Sequence, residues 1–185
     1  MACLNTLKGM QSSFCDANLA GVDTIWLSDN FDNLQVTADT VSNSATFMKV
    51  TDITGATFYK FGIEQETGYL TSTASLSDTG RLRYYNNEIR VVFPHLTREH
   101  HLEFLALTHN ETKAIVKDRN GIYHYLGFDS NLVPSGDPNA TTGQAADDDN
   151  QYEVILVARS AYPSFIMDEE TAKKVISEPD VVAGN

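Results

Sequence analysis

The dominant pattern along the chain is a period-two alternation of apolar and polar residues, which is typical of β-strands with one buried face. Three successive runs show it, at residues 57–66, 70–77 and 82–93. In the first run, Tyr59 and Phe61 fall on the same side. Short turn clusters separate the runs, so the sequence predicts a meander of three antiparallel strands.

Further short strands are predicted on either side of this meander. Residues 120–121, Asn-Gly, are a strong hairpin signal. The nearly continuous apolar run at residues 154–157 indicates a central strand. Two polar, turn-rich segments, residues 30–44 and 131–150, are predicted to be loops, the first with one short edge strand. The other predicted strands are residues 23–28, 45–51, 112–117, 122–127 and 152–160.

One segment departs from the β pattern. Leu102, Leu105, Ala106 and His109 are spaced at i, i+3, i+4 and i+7, which predicts an amphipathic helix. Thr97 is suited to cap its N-terminus, so the helix is placed at residues 97–108. We expect Leu102, Leu105 and Ala106 to pack on a sheet.

The predicted fold is therefore mainly β: an antiparallel β-sandwich or barrel with one flanking α-helix and extended loops and arms. A length of 185 residues suits a single domain. We assign residues 1–21 to an N-terminal arm, 22–160 to the domain and 161–185 to a C-terminal arm. The C-terminal arm would be an apolar liability in a monomer. We therefore expect it to dock on a neighbouring subunit through Tyr162, Phe165, Ile166 and Met167.

Charge narrows the possible partners. The net charge is −12 and the isoelectric point is near 4.6. A protein that grips nucleic acid needs clustered cations, so this composition argues against specific DNA binding. No run of about 18 apolar residues is present, and no membrane span is expected.

Catalytic and metal-binding motifs are absent from the sequence, so we expect no enzyme activity and no cofactor or metal. Asp147, Asp148 and Asp149 are adjacent, whereas a calcium loop alternates its ligands. We interpret them as a solvated acidic loop that contacts a neighbouring subunit. Cys3 and Cys15 are either two free thiols or a disulfide that closes an N-terminal loop.

Several segments together resemble a known family. They are Cys3-Leu4, residues 15–22 (CDANLAGV) before the strand with Trp26, residues 68–73 (GYLTST), and the hairpin at residues 114–127. A Gly/Thr-rich loop and a final apolar strand follow. This order resembles the tail-tube virion proteins of tailed bacteriophages, particularly those of phages and prophages of Bacteroidetes.

The resemblance implies a fold of two packed antiparallel sheets with a flanking helix. It also implies that subunits close into rings, usually six-fold, and that the rings stack into a tube with a continuous inner barrel. Partners would be other copies of the chain and other tail proteins, and DNA would pass through without specific binding. The protein would be made in the host bacterial cytoplasm and reside in the virion tail.

A tube for DNA must not hold the DNA that passes through it. Small hydroxyls and acidic groups on the inner wall leave phosphates nothing to bind. We expect such a wall to be formed by Thr71, Thr73, Ser75, Ser77, Glu64 and Glu66. The solvated side of an ordinary amphipathic sheet would show the same pattern, so that interpretation stays open.

A second hypothesis is a β-sandwich module that binds a carbohydrate or a cell-surface target. Such modules bind through exposed aromatic side chains, and the sequence offers Tyr84, Tyr85, Tyr123 and Tyr125 as candidates.

Overall fold

A computed structural model of the chain describes residues 19–41, 46–63, 66–76, 83–144 and 148–177. Five residues singled out in the sequence, Cys3, Cys15, Glu64, Ser77 and Asp147, lie outside these ranges. Residues 19–21, predicted as the end of an arm, are tied to the β-hairpin turn by hydrogen bonds in both directions between the Leu19 backbone and the Asn120 side chain.

The described chain forms two β-sheets and two helices, so the mainly β fold class is confirmed. The elements are β1 (Val22–Ser28), β2 (Gln35–Ala38), β3 (Lys49–Thr54), β4 (Phe58–Phe61), β5 (Tyr69–Leu76), β6 (Arg83–Pro94), α1 (Arg98–His109), β7 (Lys113–Asp118), β8 (Tyr123–Leu126), β9 (Val133–Thr141), β10 (Gln151–Ser160), β11 (Phe165–Met167), α2 (Glu169–Ala172) and β12 (Ile176–Ser177).

The smaller sheet has four antiparallel strands in the order β5-β6-β10-β9. β6 and β10 are paired without a break from Gln151 opposite Pro94 to Ser160 opposite Tyr85. This places β10 at the centre of the sheet, as its apolar run predicts. We call the side of this sheet that packs on the larger sheet its inner face and the opposite side its outer face.

The larger sheet has eight strands in the order β12-β4-β1-β7-β8-β11-β3-β2. Two of its pairings are parallel, β11 with β3 and β12 with β4, and the others are antiparallel. Phe58 on β4 and Val50 on β3 belong to one buried cluster although their strands lie near opposite ends of the sheet. The sheet must therefore curl around that cluster.

Two hydrophobic cores lie on the two faces of the curled sheet. The first fills the space between the sheets, where Ile25 and Val116 meet Ile89, Val154 and residues of the helix α1. The second lies inside the curl and is rich in aromatic side chains; it contains Trp26, Phe58, Ile115, Tyr123, Tyr125, Phe165 and Met167. Trp26 stacks on Tyr123 with ring centroids 6.0 Å apart.

Residues 161–177 complete the second core, which corrects the expectation of a C-terminal arm over these residues. Phe165 and Met167 are buried against β8, where they oppose Tyr125 and Tyr123. Two ion pairs fasten the same segment to β3, Lys49–Asp168 at 2.6 Å and Lys174–Asp52. The domain therefore continues beyond residue 160, because the second core needs these side chains to close it.

The helix α1 begins and ends close to where the sequence predicts, but its buried face differs. Thr97 caps it by accepting a hydrogen bond from the His100 backbone N–H. Leu107 is buried and Phe104 packs on the first core, whereas Leu102 and Leu105 are exposed. The aromatic surface of the small sheet selects this face, since Phe104 lies 5.1 Å from the ring of Tyr152.

Two strand predictions also need correction. Residues 133–141, predicted as loop, form the edge strand β9, which pairs with β10 around a bulge opposite residues 153–155. Its prolines and glycine hide it in the sequence, yet they are tolerated at a sheet edge. The expected three-stranded meander is only a hairpin of β5 and β6, because β4 pairs with β1 in the other sheet.

The helix orientation predicts opposite outcomes for two leucines. Leu107→Asp should destabilise the protein by about 3 kcal/mol or more, because it buries a charge with no partner. Leu105→Asp, the matched control on the exposed side, should change the free energy of unfolding by less than about 0.5 kcal/mol. Urea unfolding followed by circular dichroism measures both, and equal effects would contradict this orientation.

Because β11 closes the second core, substitutions at its buried and exposed residues should differ in their effect on stability. Met167 is 3% exposed and Ile166 is 48% exposed. Met167→Asp should cost about 3–5 kcal/mol and Ile166→Asp less than about 1 kcal/mol, as measured by thermal unfolding. A Met167→Asp protein with an unchanged melting temperature would show that the segment is not part of the core.

Candidate functional site

The candidate site is the outer face of the four-stranded sheet together with the two edges of that sheet. Strand alternation and pairing place side chains of three strands side by side on this face. The polar members are Thr71, Thr73, Ser75, Tyr84, Asn86, Glu88, Arg90, Glu153 and Arg159.

The predicted hydroxyl side of β5 does face away from the core. Thr71 and Thr73 are exposed, and in the register with β6 they oppose Glu88 and Asn86. Whether this face lines a channel depends on assembly, so that part stays a prediction.

The other side of β5 is less buried than the alternation predicts. Leu70 packs on the first core, but Ala74 is exposed and Leu76 is 64% exposed. The core ends before Ala74 and Leu76. At Ser72 the loop that contains Ser164 covers the sheet, and the Ser164 backbone N–H donates a hydrogen bond to the Ser72 hydroxyl. The end of the β5–β6 hairpin therefore projects beyond the larger sheet.

Arg90 is the best-anchored cation of the outer face. Its Nε donates to Glu153 at 2.6 Å, and its Nη1 donates to the Thr67 carbonyl at 2.9 Å. This hydrogen bond lowers the pKa of Glu153 and raises that of Arg90. Beside them, the Tyr69 hydroxyl donates to Glu88, and that bond raises the pKa of Tyr69. Two N–H groups of the guanidinium are thus bound by neighbouring groups of the protein.

The acidic residues predicted for a channel wall and for a subunit contact lie in two different connections of the chain. Glu66, predicted at the end of the strand 57–66, lies instead in the turn before β5 with φ +69°. Its place on a channel wall stays a prediction. Asp148 and Asp149 lie in the connection from β9 to β10, and Asp148 accepts a hydrogen bond from the Gln144 backbone at 2.7 Å. Their contact with a neighbouring subunit stays a prediction. Within the described ranges, no group of three or more His, Cys, Asp or Glu residues could hold a metal ion.

The edges of the two sheets differ sharply in length. Over the described residues, the eight-stranded sheet ends in β2 with 4 residues and β12 with 2. The four-stranded sheet ends in β5 with 8 residues and β9 with 9. No strand of the described chain pairs with the outer side of β5 or β9. Long open edges are templates for pairing with another chain, whereas very short ones are a common protection against it.

The tyrosines proposed for carbohydrate binding do not form a platform. Tyr125 is fully buried and Tyr123 is 5% exposed, both in the second core. Burial raises the pKa of Tyr125, whose hydroxyl has no hydrogen-bond partner among the described residues. Tyr84 is exposed and Tyr85 half-buried at the projecting hairpin. Two of the four candidates are therefore core residues.

Sequence reasoning missed Arg90, Glu153 and the β9 edge as parts of the site. Arg90 and Glu153 are 63 positions apart, and only the pairing of β6 with β10 brings them together. One signal in the sequence could have placed Glu88 and Arg90 on the polar side of β6. Residues 86, 88 and 90 alternate with Asn87 and Ile89, which are buried.

The chain matches no protein-family model and no curated protein. Neither described helix is long and apolar enough to cross a membrane.

The Arg90–Glu153 pair predicts a weak acid dependence of stability. Because the pKa of Glu153 is lowered from 4.5, the stability it contributes is present above about pH 4.5 and is lost as the pH falls through the lowered value. Both side chains are partly exposed, so the contribution should be below about 1 kcal/mol. Glu153→Gln should flatten the fall in unfolding free energy between pH 7 and pH 3.

Arg90→Gln is the matched variant, since it removes the other partner and should abolish the same part of the acid dependence. If both variants keep the full acid dependence of the parent protein, the ion pair does not contribute to stability.

Proposed function

We propose that this chain is a structural subunit of a bacteriophage tail, in which copies form a ring and rings stack into, or join, the tube through which DNA passes. The main support is the four-stranded sheet, which has two long edges that no described strand covers and a largely polar outer face. Its partners would be other copies of the chain, in a ring of six as the resemblance implies, and other tail proteins of the virion.

The strand directions allow ring closure. The four strands alternate in direction, so β9 of one copy and β5 of the next run antiparallel when copies are related by a rotation about an axis along the strands. Each contact then joins two different edges, which is the head-to-tail type of interface that generates rings. The larger sheet, ending in short strands, would remain on the outside.

Six copies would give a channel of useful width. Four strands from each of six copies make 24 strands. At a spacing of about 4.8 Å and a tilt of about 40°, they would close a barrel about 50 Å across. Side chains would take up about 5 Å on each wall, which leaves an opening wider than a DNA duplex.

The outer face suits the wall of such a channel. Its hydroxyl and amide groups carry no charge, and its two acids, Glu88 and Glu153, balance Arg90 and Arg159. The apolar side chains of Ile155 and Val157 lie beside these charges and offer phosphates no partner either. Arg90 is held by Glu153 and by the Thr67 carbonyl. The face therefore has no cluster of cations to grip phosphates, and DNA could slide past it.

The prolines of β9 would restrict the pairing to one register. Pro134 and Pro138 have no N–H to donate, and the positive φ of Gly136 lies between them. A partner strand can pair only where donors remain, so irregular edge-to-edge aggregation is disfavoured while a specific match is still possible.

The location of the hydroxyl row tests the proposal directly. Ser75→Cys, in a Cys3→Ser and Cys15→Ser background, should place a thiol-linked gold cluster inside the rings seen by electron microscopy. Thr54→Cys, the matched control on β3 of the larger sheet, should place the same label on the outside. Both substitutions are at the surface and should leave folding unchanged.

The unlabelled protein should form rings or stacks of rings, with a mass several times 20.4 kDa by light scattering. A protein that stays monomeric at high concentration, or rings that carry the Ser75→Cys label on their outer surface, would refute the proposal.

A further inference from the structure

Two leucines that the fold leaves exposed lie beside the two long edges of the four-stranded sheet. Leu105 of α1 is 51% exposed and Leu76 of β5 is 64% exposed. Strand alternation puts Leu76 on the same side of β5 as Leu70, which packs on the first core. Both leucines therefore belong to the inner side of the sheet, on which the helix lies, and not to the polar outer face.

The helix α1 runs along β9, which is the opposite edge of the sheet from β5. Before the helix begins, the His95 backbone N–H donates to the Asn150 carbonyl, close to where β9 ends. After the helix ends, Thr112 and Leu132 exchange two backbone hydrogen bonds just before β9 begins. The helix therefore spans the length of this edge on the inner side of the sheet.

Leu105 lies on the side of α1 that faces the small sheet. One turn before it, His101 approaches Tyr152 of β10 with ring centroids 6.1 Å apart. Residues four positions apart share one side of a helix, so Leu105 is on the His101 side. Leu102 and Ala106 lie on the other side, where they line a groove between α1 and β4. Leu105 thus lies above an edge that no strand of the described chain covers.

A neighbouring copy paired with this edge would bring its Leu76 beside the helix. Strands in a barrel tilt by about 40°, so successive four-stranded sheets are displaced along the strands by about 16 Å, or about five residues. The right-handed coiling of barrel strands directs this displacement towards the Pro94 end of β6. Because inner faces must match, the displacement is about four or six residues, which places Leu76 of the neighbouring copy opposite Leu132 or Pro134.

The area of the two edges indicates that strand pairing needs support from a second layer. A specific interface buries about 800 Å² of each partner. Edges of 8 and 9 residues are about 28 Å long and a sheet is about 10 Å thick, so edge pairing alone offers about 280 Å². Exposed apolar side chains on the inner side of both edges are suited to supply the rest.

We propose that Leu105 of one copy packs against Ala74 and Leu76 of the next copy, so that each helix α1 covers the inner side of its neighbour's β5. The partner is a second copy of this chain, and each contact joins two different surfaces. This inference rests on the proposed ring, whose strand pairing it extends with an apolar second layer. It also accounts for the exposure of apolar side chains at both edges of one sheet.

The first test compares two leucines of the same helix in the full chain. Leu105→Asp should raise the concentration at which half of the protein is assembled by about tenfold or more, because the contact would bury an unpaired charge. Leu102→Asp, the matched control on the groove side, should change that concentration by less than about twofold. Light scattering over a dilution series measures assembly, and circular dichroism checks that both variants are folded.

Mixing two impaired variants tests whether the contact lies between chains. Leu76→Lys alone should assemble as poorly as Leu105→Asp. The two proteins mixed in equal amounts should assemble, because alternating copies pair the introduced carboxylate with the introduced ammonium group. Leu76→Asp mixed with Leu105→Asp is the matched control and should not recover, since it brings two carboxylates together.

Recovery in the opposite-charge mixture alone supports the contact. Normal assembly of Leu105→Asp, or the same result from both mixtures, would overturn the contact and leave the proposed ring intact. A parent protein that does not assemble would refute the proposed ring and this contact with it.

Discussion

The pairing of β6 with β10 is the constraint on which the rest of the structure depends. Ten consecutive residue pairs fix one register between strands that are distant in sequence. In this register Ile89 and Val91 lie beside Leu156 and Val154 on the inner face, while Arg90 reaches its diagonal neighbour Glu153 on the outer face. A slip of one residue would exchange the two faces and bury the ion pair. The apolar core and the polar outer face are therefore consequences of the same register.

The second core depends on the segment after β10, where the chain returns to the larger sheet. β11 is inserted between β8 and β3, and β12 adds to β4 at the far end of the same sheet. The short helix α2 lies between them and buries Thr171 and Ala172. Seventeen residues, 161–177, thus connect strands that would otherwise be separated across the open side of the curl. This explains why aromatic residues after residue 160 are needed by the chain itself.

Local signals in the sequence predicted much of this fold. β1, β10 and the hairpin of β7 and β8 follow from apolar runs and from Asn120-Gly121, and the bounds of α1 follow from its cap. The buried face of α1 did not, because Leu102 and Phe104 are both apolar and only the sheet decides between them. β11 and β12 are too short for a periodic pattern, and their parallel partners are far away in sequence.

For the candidate site too, the sequence predicted local features but not which strands lie side by side. A period of two is enough to place Thr71, Thr73 and Ser75 on one side of a strand. It cannot tell which strands lie beside them, so the charges of the outer face and the open edge of β9 emerged only from the sheet order. Pro134 and Pro138 also prevented the prediction of β9. Prolines argue against a central strand, and they do not indicate whether an edge strand is present.

The contrast between the two sheets bears on how the molecule meets its neighbours. The eight-stranded sheet buries both faces over much of its length and, in the part of the chain that the structure describes, ends in strands of 4 and 2 residues. The four-stranded sheet has one solvent-exposed face and ends in strands of 8 and 9 residues. A monomer gains nothing from long open edges, which expose it to aggregation. Such edges are useful where another strand is meant to pair with them, and the alternating directions of the four strands allow a copy of the same sheet to do so.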